Sequence, residues 1–448
     1  MNTVLKIYFP SKCRAVIILN LLLLILILIH SFYRDVKLEK QYSGDLRNRV
    51  VGARLQKDGR IPYFYKWKKA DGYRYIDPEN NNNFKVSNIT ASPVFHNLLL
   101  PICDLSQRSI SFLWFCFQYL MLVIITVLFV KLSKNNIQKC IVINFSVLFT
   151  CTEAWKSLIA AGQLYLFIGL LIAFVIYGLL KSTKNKYLYF AAFSTALLVL
   201  IRPTALIIFI PFFIQYKYSY KYLLRSFAFM IAYGLFSIIN QQELRLWVSY
   251  VNALNENVKA HQHLNPSLQI NEPFPIIKNL EGLNISETDK FNLQNPIPIY
   301  SENGNIFVIL HALSQKRPSI LLINTLLIIC IVVLISGFIY YKYENGFYII
   351  NTIMIAFIFF MLAEIFSLIH RHQYTTVQWL PILLTGVAAI KKWYEPAMIL
   401  LTIGLILNIV TNISLLPFIH TIGEFCWMIA LLLLVFKKET NNIKWKLP

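Results

Sequence analysis

Charge is scarce in this chain. Asp, Glu, Lys and Arg make up 14% of its 448 residues, against about 25% in an ordinary soluble domain. Hydrophobic residues make up 57%, and mean hydropathy is +0.57. That balance excludes a soluble globule and reads as an all-α polytopic membrane protein. No small-residue cleavage site follows the first apolar run, Ala15 to Phe32. The run is also too long for a signal-peptide core, so it is expected to remain as a first span. The seven cysteines are scattered and form no CxxC or His/Cys cluster, which speaks against a zinc site or a disulfide framework. No metal and no cofactor is expected.

Acids are the scarcer sign, 21 against 42 Lys and Arg, for a net charge of +21. With a cytoplasmic N-terminus, 19 of the basic residues fall in cytoplasmic tails and loops, and three, Lys156, Arg202 and Arg371, in short outer loops. The other 20 sit in two long outer loops beside 15 acids. This is the positive-inside pattern, so the basic charge is topological and nucleic acid is not an expected partner.

A helical span needs about 20 apolar residues. By that rule about twelve spans are expected, near residues 15–32, 109–131, 139–154, 163–181, 187–201, 203–216, 222–240, 319–341, 346–369, 374–390, 396–412 and 419–436. The chain reads as one membrane domain over 1–448, with both termini cytoplasmic and a basic tail at 437–448. Two long loops, 33–108 and 241–318, fall on the same outer side, and long ordered loops commonly carry function. In the first, Asp45 to Lys57 is expected as an amphipathic helix ended by Gly59, with Leu46, Val50, Ala53 and Lys57 on one stripe. Asp45 and Arg49 share a face there. Pro93 to Pro101 is apolar but too short to span, and fits a segment re-entering the outer leaflet. Trp67, Trp155, Trp247, Trp379 and Trp393 lie near span ends and read as interfacial anchors.

No internal repeat is visible, and charge inside the spans is sparse, with Glu153 and Glu364 the clearest cases, both toward outer ends. These features point away from a pathway across the midplane. His261-Gln262-His263 has no acidic cluster beside it, so a metal role is not assigned.

Four pieces, in order, carry a resemblance. The first is Asp45-Leu46-Arg47 through Leu55 and then Ile61-Pro62-Tyr63. The second is Ser92-Pro93-Val94-Phe95 to Pro101. The third is Gly162-Gln163-Leu164-Tyr165-Leu166, with Arg202-Pro203-Thr204 about 40 residues on. The last is His370-Arg371-His372-Gln373-Tyr374 with Pro381. In these pieces the chain resembles the membrane mannosyltransferases of glycosyltransferase family 87, which have the C-type membrane glycosyltransferase fold and use polyprenyl-phosphate sugars. It departs from the family at Ala91-Ser92-Pro93, where a Tyr-Pro-Pro element is common, at Arg202-Pro203 in place of Lys-Pro, and at Arg371, which separates two histidines. The departures bear on sugar and acceptor identity.

The resemblance implies a hexosyltransferase, for mannose above other hexoses. It would take sugar from a polyprenyl-phosphate donor to a lipid or glycan acceptor at the outer face of a bacterial plasma membrane, inverting the anomeric centre. It implies Asp45 as general base, and Arg49, Gln163, Arg202, His370, Arg371 and His372 as substrate-binding groups, the cations among them clamping the departing phosphate. Plainer roles stand beside these. Asp45 fits a helix cap, Arg49 its i,i+4 partner, and Gln163 an ordinary polar contact. Arg202-Pro203 fits a helix start with a snorkelling arginine, and the His370 turn fits a headgroup-facing loop. Two other functions compete: a lipid-linked glycan polymerase or ligase, and a non-enzymatic lipid or polysaccharide transporter.

Overall fold

The computed structural model describes residues 11–41, 44–65, 69–75, 89–262, 304–314, 318–345, 349–367, 371–390, 394–410 and 418–437, and every regular element among them is a helix. The chain opens with the long α1 (Ser11–Gln41), then α2 (Gly44–Lys57), the two-turn α3 (Pro93–Leu99) and the long α4 (Gln107–Leu132). α5 (Asn136–Phe149) leads into α6 (Glu153–Ala161), which meets α7 (Tyr165–Leu180) at 116°. There follow α8 (Asn185–Ile201), a 3₁₀ segment (Pro203–Ile208) continued by α9 (Phe209–Ile214), α10 (Tyr216–Ile239) and α11 (Gln241–Gln262). The last third holds α12 (Ile306–Ser314), α13 (Ile320–Asn345), α14 (Ile349–Ile365), a 3₁₀ segment (Gln373–Trp379) running into α15 (Leu380–Ala389), α16 (Pro396–Ile409) and α17 (Ile419–Val435).

These are the helices of a helical membrane protein, but they do not reproduce twelve spans. Among the described residues four are long and apolar enough to cross a membrane, within α1, α4, α10 and α13, or five if the bent pair α6 and α7 is one span. Six of the apolar runs form shorter helices of 10–17 residues. The reason is local. The run at 139–154 is cut by the turn Thr150-Cys151-Thr152, where the Thr152 hydroxyl caps α6. The run at 163–181 starts beyond a sharp bend at Gly162, and the run at 203–216 begins as a tight 3₁₀ coil behind Pro203.

The core lies around α14 and α7. α14 is apolar and buried on all sides, as expected of a helix wrapped by others, and it packs against α17, α7 and the 3₁₀ segment at 203–208. α1, α10 and α13 instead turn large apolar side chains outward, among them Leu22, Leu26, Ile231, Leu235, Ile328 and Val332. α13 is the extreme, with only 6% of its apolar stretch buried. Trp155 and Trp379 are fully buried, which corrects their reading as interfacial anchors; each has a polar or charged partner inside the protein.

A second, smaller apolar cluster joins the two long loops. Val51 and Leu55 of α2, with Tyr63, Tyr75 and Ile89, pack against Leu246, Tyr250 and Ala253 of α11. The expected helix over 45–57 is present as α2, and its C-terminal turn closes at Gly59 with φ +71°, a conformation that suits glycine. Leu46, Val50 and Ala53 are buried as the stripe required, whereas Lys57 turns out to the surface and pairs with Asp104. α3 is capped by the Ser92 side chain and buries Val94, Phe95, His96 and Leu99.

Candidate functional site

Asp45 stands in the first turn of α2 and Arg49 one turn later. The buried stripe of that helix fixes their direction toward the bend between α6 and α7. Gly162 ends α6 at φ +64°, a left-handed conformation that costs a side-chain-bearing residue about 1–2 kcal/mol. Its N–H and that of Gln163 bond back to the Ile159 and Leu158 carbonyls, which closes the helix and turns Gln163 inward, where it is buried. Gln118 of α4 holds the Gln163 backbone carbonyl at 2.7 Å.

The Gln163 carboxamide is the bridge of the site. Its Nε2 donates to Asp45 Oδ2, and its Oε1 accepts from Arg49 Nη2 at 2.6 Å. Only this amide orientation gives the carboxylate a donor and the guanidinium an acceptor. Arg49 therefore does not serve as the direct i,i+4 partner of Asp45, and Gln163 is more than an ordinary polar contact. Arg49 Nε and Nη1 are buried without a hydrogen-bond partner in the protein, and buried donors left so cost about 1–3 kcal/mol each.

Arg202 comes in from the turn after α8 and forks onto Glu364 at the end of α14, with Nη2 at 2.7 and 2.8 Å from the two carboxylate oxygens and Nε at 3.2 Å. Its guanidinium also lies over the Tyr165 ring, 5.4 Å from the centroid. It is therefore an ion-paired group and not a snorkelling one, with 30% of its side chain still exposed. Tyr165 stacks on Tyr374 at 5.4 Å, and Tyr374 on His372 at 4.9 Å. The Tyr374 hydroxyl is within electrostatic reach of Asp45, Arg49 and Arg202. The aromatic column thus ties Arg202 and His372 to the Asp45 bridge.

Arg371 is placed elsewhere. Both of its terminal nitrogens bond Glu424 of α17, Nη2 also donates to Thr376 at 2.8 Å, and the guanidinium lies over the Trp379 ring. Arginine and glutamate are 1% and 0% exposed, so this cation is committed to holding the 3₁₀ segment onto α17 and does not join the others. His370 lies outside the described residues, as do the side chains of His261 and His263. Among the described residues no group of three or more His, Cys, Asp and Glu gathers as a metal site would require.

Three residues with no assigned role also bear on the site. His96 of α3 is fully buried beside Arg49, and a Cβ on Gly52 of α2 would overlap its ring. Burial, with the Arg49 charge adding to it, lowers its pKa to about 3, so it is a neutral wall. Tyr250 of α11 sits against Tyr63, and burial pushes its phenol up to about 12, with Arg202 pulling the other way. Asp35, fully buried near the end of α1, accepts from Arg34 at 2.6 and 2.8 Å, from Tyr119 at 2.7 Å and from the Trp155 indole at 2.6 Å. Trp155 lies on α6, so Asp35 anchors the helix that presents Gln163.

No protein-family model, no curated protein and no solved structure matches this chain. The functional reading therefore stands on the motif resemblance and on the chemistry of the site. A carboxylate held by the Gln163 amide, an arginine with two buried N–H groups that meet no protein acceptor and a stacked aromatic column are the groups it offers. The signal for Tyr165 and Tyr374 lay inside the Gly-Gln and His-turn motifs, but nothing local in the sequence marks Asp35 or Glu424.

Proposed function

We propose that this protein is a membrane glycosyltransferase that moves a hexose, mannose above others, from a polyprenyl-phosphate donor to a lipid or glycan acceptor. It follows the C-type membrane glycosyltransferase plan implied by the motif resemblance, and it works on the outer face. The reading is carried by one observation: Asp45 and Arg49 are held on opposite edges of the Gln163 carboxamide while Arg49 keeps two buried N–H groups without a protein acceptor.

In the proposed reaction the acceptor oxygen attacks the anomeric carbon from the face opposite the phosphate, and its proton passes to Asp45. The bond between the anomeric carbon and the phosphate oxygen breaks, and the electron pair leaves on polyprenyl phosphate. A positioned carboxylate base contributes about 10²–10⁴-fold. Charge growing on the departing phosphate is met by the free donors of Arg49, which gain strength where water is excluded. Arg202, already neutralised by Glu364, serves to hold Tyr165 and the column beneath the sugar.

The test is transfer from a synthetic polyprenyl-phosphate mannose by the purified protein and by Asp45→Asn, offered a mixture of lipid and glycan acceptors. Transfer by the parent, with a loss of at least about 10²-fold in a variant of unchanged melting temperature, supports the reading. Equal rates in both proteins would remove Asp45 as the base, and no transfer to any acceptor would remove the enzyme.

A further inference from the structure

The turn Pro62-Tyr63-Phe64-Tyr65 closes with the Tyr65 N–H on the Pro62 carbonyl at 3.4 Å. Its third residue, Phe64, has φ +58°, a position that turn geometry reserves for glycine or asparagine. A bulky residue held in that region is a strained one, and such residues tend to mark functional surfaces. Phe64 forms part of the wall of a groove of about 580 Å³ between this turn and α11, together with Tyr63, Tyr65, Ser249 and Asn252. That volume is of the size of ordinary ligand sites, about 300–1,000 Å³.

A second recess of about 320 Å³ adjoins it, sharing Arg60 and Ile61, and is lined further by Arg245, Gln241 and Gln242. No acidic side chain lines either recess among the described residues. Arg60 bonds Asp71 at 2.9 Å and the Tyr65 hydroxyl, which itself donates to Asp71 at 2.8 Å, and it lies over the Tyr75 ring, while Arg245 is exposed on α11. The trough is aromatic with an amide and a hydroxyl at one end, and cationic with two more amides at the other. Tyr63 connects its aromatic end to the site: the ring packs against His96, which neighbours Arg49, and against Tyr250, which feels Arg202.

We infer that this trough binds an acidic oligosaccharide as the acceptor side of the site, an inference that rests on the transfer reading above. Sugar rings lie on the Phe64 and Tyr faces and bond Ser249 and Asn252, and a carboxylate or phosphate substituent lies between Arg60 and Arg245. Aromatic faces suit the apolar side of a sugar ring, and paired guanidinium and amide groups suit an anion on it.

Binding is measured by titrating the full-length protein in lipid nanodiscs, without donor, with a galacturonic acid trisaccharide, with maltotriose and with inorganic phosphate. The acidic trisaccharide is expected to bind at least about tenfold tighter than maltotriose, and phosphate alone weakly. Arg245→Gln should bring the acidic sugar down to the maltotriose level. Phe64→Gly should weaken both sugars about tenfold while leaving the melting temperature equal or higher, because glycine relieves the backbone; a purely structural phenylalanine would instead lower it. Equal binding of acidic and neutral sugars, phosphate binding as tightly as the acidic trisaccharide, or parental affinity in Phe64→Gly would each overturn the inference. Sugar binding with no transfer in any assay would sink the transferase and keep the trough, and transfer unaffected by both trough variants would do the reverse.

Discussion

Replacing Gln163 by glutamate alters one atom at the centre of the site. The nitrogen that donates to Asp45 becomes a carboxylate oxygen, while the oxygen that accepts from Arg49 remains. Two carboxylates then meet at hydrogen-bond distance, and one of them retains a proton, its pKa raised by about 2 units. At about 1.4 kcal/mol per unit, the doubly charged pair is penalised by roughly 3 kcal/mol at pH 8. Near pH 4 the shared proton supplies an O–H donor in place of the lost N–H, and the penalty shrinks to about 1 kcal/mol or less. The folded pKa of the variant lies above its unfolded value, so its stability relative to the parent is greatest at low pH and is lost as pH rises. Thermal unfolding of both proteins in the same micelles at intervals between about pH 4 and 8 measures this, and the gap in Tm should widen from about pH 4 to about pH 6.5 and level off above it. The acid limb of any transfer rate should move up by about the same 2 units. A gap that is constant across the range would refute the bridge, because a glutamate remote from Asp45 titrates at its ordinary pKa in both states.

Three further outcomes follow from the same geometry. His96 is neutral and buried, so its contribution to stability is complete above pH 6.5 and is lost between pH 6.5 and about 3; at pH 5 the loss is about 2 kcal/mol, 1.5 units at 1.4 each, and a melting series on His96→Leu should lack that part of the acid slope. Glu424→Gln should cost about 3–5 kcal/mol by stranding the buried Arg371, and Glu364→Gln clearly less because Arg202 is 30% exposed and reaches water; denaturant unfolding of the two variants reads the order. Gly162→Ala should cost about 1–2 kcal/mol for its left-handed backbone and lower transfer further by displacing Gln163, a double effect separable by comparing melting temperature with rate.

The parts of the site that were legible in the sequence are those whose pattern is local. The buried stripe of Leu46, Val50 and Ala53 in α2 follows from spacing alone, whereas Pro93 to Pro101 reads in sequence as a short apolar segment and becomes a helix capped by Ser92 only in the structure. The span count was not legible, because hydropathy averages over turns such as Thr150-Cys151-Thr152 and cannot see a bend of 116° at one glycine. Arg371 reads as polar and exposed between two histidines, yet its fate is decided by Glu424, 53 residues away in α17. Trp155 looks like an anchor by position and becomes a donor to Asp35 only when α1 lies across α6. Periodicity names the face of a helix, and the partner that covers it is supplied by long-range packing.

α13 meets the protein along one stripe, where Ile323 and Phe338 are buried and Leu327, Ile331 and Leu334 are partly buried against the core, and turns its other faces outward. Without a hydrophobic driving force between helices in lipid, association there relies on close packing, and α13 has little of it. The bilayer, more than the rest of the chain, keeps that helix in place. Extraction into micelles removes that confinement, so α13 becomes the most easily displaced segment while the Asp45 bridge, built on α2, α4 and α6, stays assembled. Lipid dependence of the whole protein and integrity of its chemistry are then separate properties, seated in different helices.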